Sequence, residues 1–298
     1  MASITLLDGS IGQEIVKRSG DRATPLWSTS VMMEKPDIVG DVHADYYRVG
    51  ATIATTNTYA VHVDRLDRVG LADQQLHLLD VAMDQAIRAR DAHGSGRIAV
   101  ALGPLGASYR PDLTTPLDQA AALYGTIVRH LDARADLFII ETAASLDHAR
   151  GALMGCAASD RPVWLAVTVD DDDGTRLRSG EDLTELAKLV TDFSPAALLI
   201  NCSRPEVIAD GLELLKPIGL RFGAYANGFT RISEGFLKDA PTVDALEQRH
   251  DLGPDEYADL AMGWVDQGAT IIGGCCEVGP DHIAELARRL HAAGHAIT

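Results

Sequence analysis

Two adjacent cysteines close an apolar run near the C-terminus, Thr270-Ile271-Ile272-Gly273-Gly274-Cys275-Cys276, and Cys202 closes another, Leu198-Leu199-Ile200-Asn201-Cys202-Ser203. The chain has only four cysteines in 298 residues, so three of the four stand where an apolar run ends. A thiolate-rich metal site assembled from two strand ends would have this pattern. Neighbouring strand residues point to opposite faces. Cys275 and Cys276 can therefore share one ion only where the chain leaves the sheet, and Gly273-Gly274 would give the backbone that freedom. Three thiolates around a tetrahedral zinc leave one position open, as in a catalytic rather than a structural site. The plain alternative is that a cysteine in an apolar run is a small core residue. That reading is taken for Cys156, in Leu153-Met154-Gly155-Cys156-Ala157, and on spacing alone it stays open for the others, as does a vicinal disulfide between Cys275 and Cys276. The absence of CxxC or CxxH pairs argues against a zinc finger.

The elements that would position these residues repeat along the chain. Short β-rich runs occur at residues 4–7, 52–56, 98–102, 137–140, 163–169, 197–200, 221–226 and 270–272. Their unbroken apolar character suits strands covered on both sides. Helical patterns lie between them at 36–49, 71–93, 115–133, 145–156, 181–193, 204–215, 254–267 and 280–293. Eight alternations predict an α/β fold, a (β/α)8 TIM barrel in a single domain spanning residues 1–298. An open doubly wound sheet would more often carry a Gly-rich nucleotide fingerprint, and Gly103-Pro104-Leu105-Gly106 is too short for one.

In such a barrel the reacting residues sit at the C-terminal ends of the strands. Read in order, those ends carry Asp8, then Asn57 and Tyr59, then Glu141, Asn201 and Cys202, Tyr225 and Asn227, and finally Cys275 and Cys276. Buried carboxylates at Asp8 and Glu141 are expensive without a cationic partner, and a ligand's amino group would supply one. Each acid alone also fits an N-cap or a loop. As a set on one face, with three cysteines, they describe an amino-acid pocket beside zinc.

The formal net charge of −17 makes nucleic acid and anionic membrane surfaces poor partners. No apolar run approaches the length of a membrane span, and the first residues lack the pattern of a signal peptide. Read as free thiols, the cysteines then point to a reducing cytoplasm. Asp170-Asp171-Asp172-Asp173-Gly174 looks calcium-like, but an EF-hand loop through Gly174 would put Val169 first and Gly180 last. It reads as a solvated turn. His291 and His295 read as surface residues. The aperiodic stretch 228–251 would be the loop after strand seven, over the active-site face.

The chain resembles the homocysteine S-methyltransferase family through nearly all of its length. The likeness is carried by Leu6-Leu7-Asp8-Gly9-Ser10-Ile11-Gly12-Gln13-Glu14, Thr55-Thr56-Asn57-Thr58-Tyr59, Gly103-Pro104-Leu105-Gly106, Glu141-Thr142, Asn201-Cys202-Ser203, Tyr225-Ala226-Asn227 and Gly273-Gly274-Cys275-Cys276. The resemblance implies a barrel that uses Zn2+ and transfers a methyl group to the thiol of L-homocysteine, making methionine. It carries the zinc ligands onto Cys202, Cys275 and Cys276, and the homocysteine contacts onto Glu141, for the ammonium, and Asp8. Tyr59 and Trp27 become candidates for a wall beside an onium methyl donor. S-methylmethionine is the first expectation for that donor, because the short C-terminus resembles that of the compact members. Betaine, dimethylsulfoniopropionate, S-adenosylmethionine, or a corrinoid or folate carried elsewhere are the alternatives. A non-catalytic zinc protein comes last, and a monomer or small homo-oligomer is expected. The chain departs from the family's usual pattern at Ser10-Ile11-Gly12-Gln13, Ala60-Val61-His62-Val63 and Gly228-Phe229-Thr230-Arg231, where a donor would be held.

Overall fold

The structure, a computed structural model, describes residues 2–20, 26–232 and 247–298. Its strands are β1 (Ser3–Leu6), β2 (Ile53–Thr55), β3 (Arg97–Leu102), β4 (Leu137–Ala143), β5 (Val163–Val167), β6 (Ala197–Asn201), β7 (Arg221–Ala226), β8 (Ile271–Gly274) and β9 (Ala296–Ile297). They lie parallel, in the order β2-β3-β4-β5-β6-β7-β8-β1-β9. Eight of them form a (β/α)8 barrel in a single domain. The seam is closed just past β1, where Leu7 bridges Ile53 and the Thr52 N–H donates to the Leu6 carbonyl at 2.8 Å. The earlier part of that edge is taken by β9, which pairs Ala296 with Ser3 and Ile297 with Ile4.

Helices follow every barrel strand. After β1 come α1 (Ile11–Arg18), α2 (Ser28–Glu34) and α3 (Pro36–Arg48), and after β2 come α4 (Val63–Asp67) and α5 (Gln75–His93). One each then follows β3 to β8: α6 (Leu117–Leu131), α7 (Leu146–Cys156), α8 (Leu186–Phe193), α9 (Pro205–Leu215), α10 (Pro254–Asp266) and α11 (Pro280–Ala292). Four of these helices begin with proline in the first turn, where its fixed φ suits a helix and its missing N–H costs nothing. Helix α7 starts instead at Ser145, whose Oγ accepts from the His148 N–H at 3.2 Å.

The two-residue period of the strands divides the core. Leu137, Ile139, Ala197, Leu199 and Tyr225 point into the barrel, while Phe138, Ile140, Leu198 and Ile200 pack outward against helices. Trp164 lies low in the interior, with the guanidinium groups of Arg97 and Arg221 at 6.0 and 5.8 Å from its ring. The same phase that turns Leu137 and Ile139 inward turns Glu141 inward at the top of β4. Asn201 follows Leu199 inward at the top of β6 by the same rule.

Three sequence expectations need correction or bounding. Helices α1, α2 and α4, of 8, 7 and 5 residues, are too short for periodicity to reveal. The acidic run is not simply a solvated turn. Asp170 does cap a turn, accepting from the Asp172 and Asp173 N–H groups, but Asp171 is buried. It pairs with Arg178 at 2.6 Å and accepts from the Ile232 N–H at 2.9 Å. Of the expected loop 228–251, residues 233–246 lie outside the described residues; its two ends meet in an antiparallel bridge between Phe229 and Gln248.

Candidate active site

The three strand-end cysteines converge. Strands β6 and β8 are separated by β7, which would ordinarily hold their backbones about 9–10 Å apart. Cys202 and Cys275 nevertheless have Cα atoms 5.7 Å apart, because the chain turns inward as it leaves β6, with Cys202 at φ 47°. That backbone is held from both sides. The Cys202 N–H donates to the Tyr225 carbonyl at 3.2 Å, and the Cys202 carbonyl accepts from the Thr168 hydroxyl at 3.2 Å. The sulfurs of Cys202, Cys275 and Cys276 all lie within 4.8 Å of one another.

Two details differ from the sequence reading. Cys202 and Cys275 are joined in a disulfide rather than standing as free thiols; among the described residues Cys276 and Cys156 are free. The disulfide therefore spans β6 and β8, not the adjacent pair. Neither Gly273 nor Gly274 has a positive φ, so turning freedom is not why glycine stands there. A Cβ on Gly273 would come 2.5 Å from the Leu7 Cβ, and one on Gly274 would come 2.1 Å from a Val278 methyl. The glycines let β8 approach the β1 end and the turn after Cys276. Gln13 fastens that turn: its Oε1 accepts from the Glu277 N–H at 2.6 Å and its Nε2 donates to the Glu277 carboxylate.

The donor set fits a thiophilic ion. Three cysteines with no histidine in the cluster match the soft ligands preferred by zinc. Binding all three requires the Cys202–Cys275 bond to be reduced, since a disulfide sulfur is not a thiolate. Burial, with Glu277 and Glu141 nearby, pushes the Cys276 thiol up to about 12, so without an ion it stays protonated at neutral pH.

Beside the cysteines lies a cavity of about 360 Å³ lined by Asp8, Trp27, Asn57, Tyr59, Glu141, Asn201 and Tyr225 as well as the three cysteines. Burial raises Asp8 well above the usual carboxylate range, against hydrogen bonds from the Thr55 N–H at 2.6 Å and hydroxyl at 2.8 Å; Glu141 adds repulsion. These bonds tie Asp8 to β2 across the barrel seam. Burial lifts Glu141 to about 7, opposed by a hydrogen bond from the Tyr225 hydroxyl at 2.9 Å. Among the described residues neither acid has an ion-pair partner, so the site has unbalanced acceptor capacity suited to an ammonium group.

Other lining residues do supporting work. Asn201 spends both ends of its amide on Thr142, accepting from its N–H at 2.9 Å and donating to its hydroxyl at 3.0 Å. Thr142 stands at φ 58°, an uncommon place for a β-branched residue. Asn57 accepts from the Ser28 hydroxyl at 2.7 Å and faces the Met32 sulfur, so it fixes α2. Asn227 is not in the cavity wall; it is buried and accepts from the Phe229 N–H at 3.1 Å. Trp27, Tyr109, Thr142 and Cys202 are all non-glycine wall residues at positive φ. Such a concentration of backbone strain is characteristic of functional sites. The sequence reading missed Tyr109, Ser108, Arg65 and Arg68. Ser108 and Tyr109 follow the Gly103–Gly106 segment that had drawn notice, and Ser108 hydrogen-bonds the Tyr59 hydroxyl at 2.7 Å.

The profile of the homocysteine S-methyltransferase family matches residues 5–290. The chain belongs to the homocysteine S-methyltransferase family. It is 30% identical to the homocysteine S-methyltransferase of Escherichia coli strain K12, over 96% of this chain and 95% of that one. Among solved structures it is similar to the homocysteine methyltransferase MmuM of Escherichia coli. The TM-score is 0.81 to the oxidised form and 0.79 to the metallated form, each at 28% identity and covering 96% of both chains. Members of this family are methyltransferases, and the site described above therefore belongs to an enzyme. Among the described residues no helix is long and apolar enough to cross a membrane.

Proposed function

We propose that this enzyme transfers a methyl group from a small sulfonium donor, S-methylmethionine first, to the thiol of L-homocysteine, with Cys202, Cys275 and Cys276 as ligands of a zinc ion. The observation that carries the reading is the juxtaposition of three sulfurs within 4.8 Å of one another with two carboxylates in the wall of one cavity, Asp8 buried and Glu141 half-buried, neither with an ion-pair partner among the described residues. When bound, zinc would hold the acceptor sulfur as thiolate at neutral pH. Glu141 binds the acceptor's ammonium group, and the Tyr225 hydroxyl orients that carboxylate. Asp8 adds negative potential while keeping the β1 and β2 ends together. The thiol proton passes to solvent, the sulfur forms the new S–C bond, and the broken C–S pair stays with the departing thioether. Tyr59, Trp27 and Tyr109 offer aromatic faces to the sulfonium, whose positive charge they attract. Holding the two sulfurs in one cavity makes the encounter effectively intramolecular.

The test uses reduced, zinc-loaded protein with homocysteine and equal concentrations of S-methylmethionine, dimethylsulfoniopropionate, S-adenosylmethionine and glycine betaine. S-methylmethionine should give the fastest turnover and two methionines per donor consumed. Turnover with betaine alone would overturn the sulfonium assignment. No methionine from any of the four would overturn small-molecule methyl transfer.

A further inference from the structure

Charge in the cavity wall is divided by position. At the strand ends, beside the cysteines, it is acidic. Among the described residues the only cations in the wall are Arg65, on α4, and Arg68, immediately after it. Their i, i+3 spacing puts them on one side of the short helix. Both are anchored by the loop after β3. Arg65 Nη2 donates to the Pro104 carbonyl at 2.7 Å, and Arg68 Nη2 donates to the Gly106 carbonyl at 3.2 Å. The Arg65 guanidinium also lies 5.6 Å from the centre of the Tyr59 ring, the aromatic wall assigned to the donor.

What Arg65 lacks is an anion. Its Nε is buried with no acceptor among the described residues, and neither arginine forms an ion pair there. Asp64, its neighbour in the chain, turns to the Gly106 N–H at 2.6 Å instead and is not in the cavity wall. A partly buried guanidinium without a counter-charge is costly. The planar fork of a guanidinium matches a carboxylate, which accepts two parallel hydrogen bonds.

We propose that Arg65, assisted by Arg68, binds the carboxylate of the methyl donor and so selects donors that carry a carboxylate as well as an onium centre. The proposal rests on the reading above, in which Tyr59 borders the donor. It adds a second point of attachment: the onium group lies against aromatic faces and the carboxylate on the guanidinium. A donor held at both positions is restrained in orientation as well as location.

Calorimetric titration of S-methylmethionine and of its carboxamide, which lacks the negative charge, tests this in the wild type, Arg65→Met and Arg65→Lys. Wild-type protein should prefer the carboxylate about 10- to 100-fold, the range for a charge-assisted hydrogen bond. Arg65→Met should bring that ratio close to one while leaving homocysteine affinity unchanged, and Arg65→Lys should recover part of it. A ratio that survives in Arg65→Met, a wild type without preference, or an equal loss of homocysteine binding would overturn the proposal. Because binding is read directly, a wild type that prefers the carboxylate yet makes no methionine would refute the methyl-transfer reading and leave the role of Arg65 supported.

Discussion

If Glu141 binds the acceptor as proposed, it sets stability against that binding, and replacing it should move the two in opposite directions. Its carboxylate has the Tyr225 hydroxyl as donor but no ion-pair partner among the described residues, and burial lifts its pKa from 4.5 to about 7. With the folded value above the unfolded one, the group costs no stability below pH 4.5, and the cost grows as pH rises toward 7. At 1.36 kcal/mol per pKa unit, the full cost above pH 7 is roughly 3 kcal/mol. The carboxylate faces the cavity, where solvent screens it, so roughly 2 kcal/mol is the expected size at pH 8. Glu141→Gln keeps the shape and an acceptor for Tyr225 but carries no charge. In urea unfolding of reduced, chelator-treated protein, the variant should exceed the wild type by roughly 2 kcal/mol at pH 8, shrinking to under about 1 kcal/mol at pH 5. In the zinc-loaded protein its homocysteine affinity should fall about 10- to 100-fold, measured by calorimetry. An equal midpoint at pH 8 would show that this carboxylate carries no burial cost. Unchanged homocysteine affinity would move the ammonium contact to another residue and refute the reasoning.

Metal analysis of single Cys→Ser variants should find about one zinc per chain in wild type and Cys156→Ser, and loss of zinc in the Cys202, Cys275 and Cys276 variants; retention in the Cys275 variant would sink the ligand set. Arg178→Met should cost about 3–5 kcal/mol in urea unfolding, because it strands Asp171 in a pair whose side chains are each only 10% exposed. Adding Asp171→Asn should restore part of that loss, and a fully additive double variant would refute the pairing. His43 is wholly buried on α3, both ring nitrogens lack partners among the described residues, and burial lowers its pKa from 6.5 to about 4. Its depressed folded value means that stability is kept above pH 6.5 and lost as pH falls toward 4. His43→Leu should therefore resist unfolding at pH 4.5 better than the wild type by roughly 2–3 kcal/mol, a gain that should shrink as pH rises to 7; equal acid sensitivity would assign that loss to other groups.

The barrel was legible because its strands are apolar on both faces and its longer helices have recognisable starts. Each of the eight expected strands has a counterpart, and the phase of β4 follows from Leu137 and Ile139 to Glu141. What periodicity could not supply was the short α1, α2 and α4, or the brief pairing of β9. The acidic run misled for another reason. Four consecutive aspartates read as solvent-facing, yet one of them meets Arg178, seven residues on, inside a shell of buried side chains. Such a pair is a property of the folded loop, and local sequence contains no sign of it.

The strand-end half of the site, proposed for the acceptor, was the easier to read for the same physical reason. Its residues sit at strand ends, whose places the barrel dictates, and cysteines and buried acids are uncommon enough there to attract attention. The proposed donor end is built from loops after β1, β2 and β3, where Trp27, Arg65, Ser108 and Tyr109 come together from separate stretches. In sequence, Arg65 and Arg68 look like the solvated face of a short charged helix. Only the Pro104 and Gly106 carbonyls that hold them, and the Tyr59 ring beneath Arg65, mark them as cavity residues. Those loops also contain two of the segments expected from sequence to depart from the family pattern, Ser10–Gln13 and Ala60–Val63. A barrel that fixes the strand ends while its loops vary can hold the acceptor chemistry steady and change the donor by substitution at the rim.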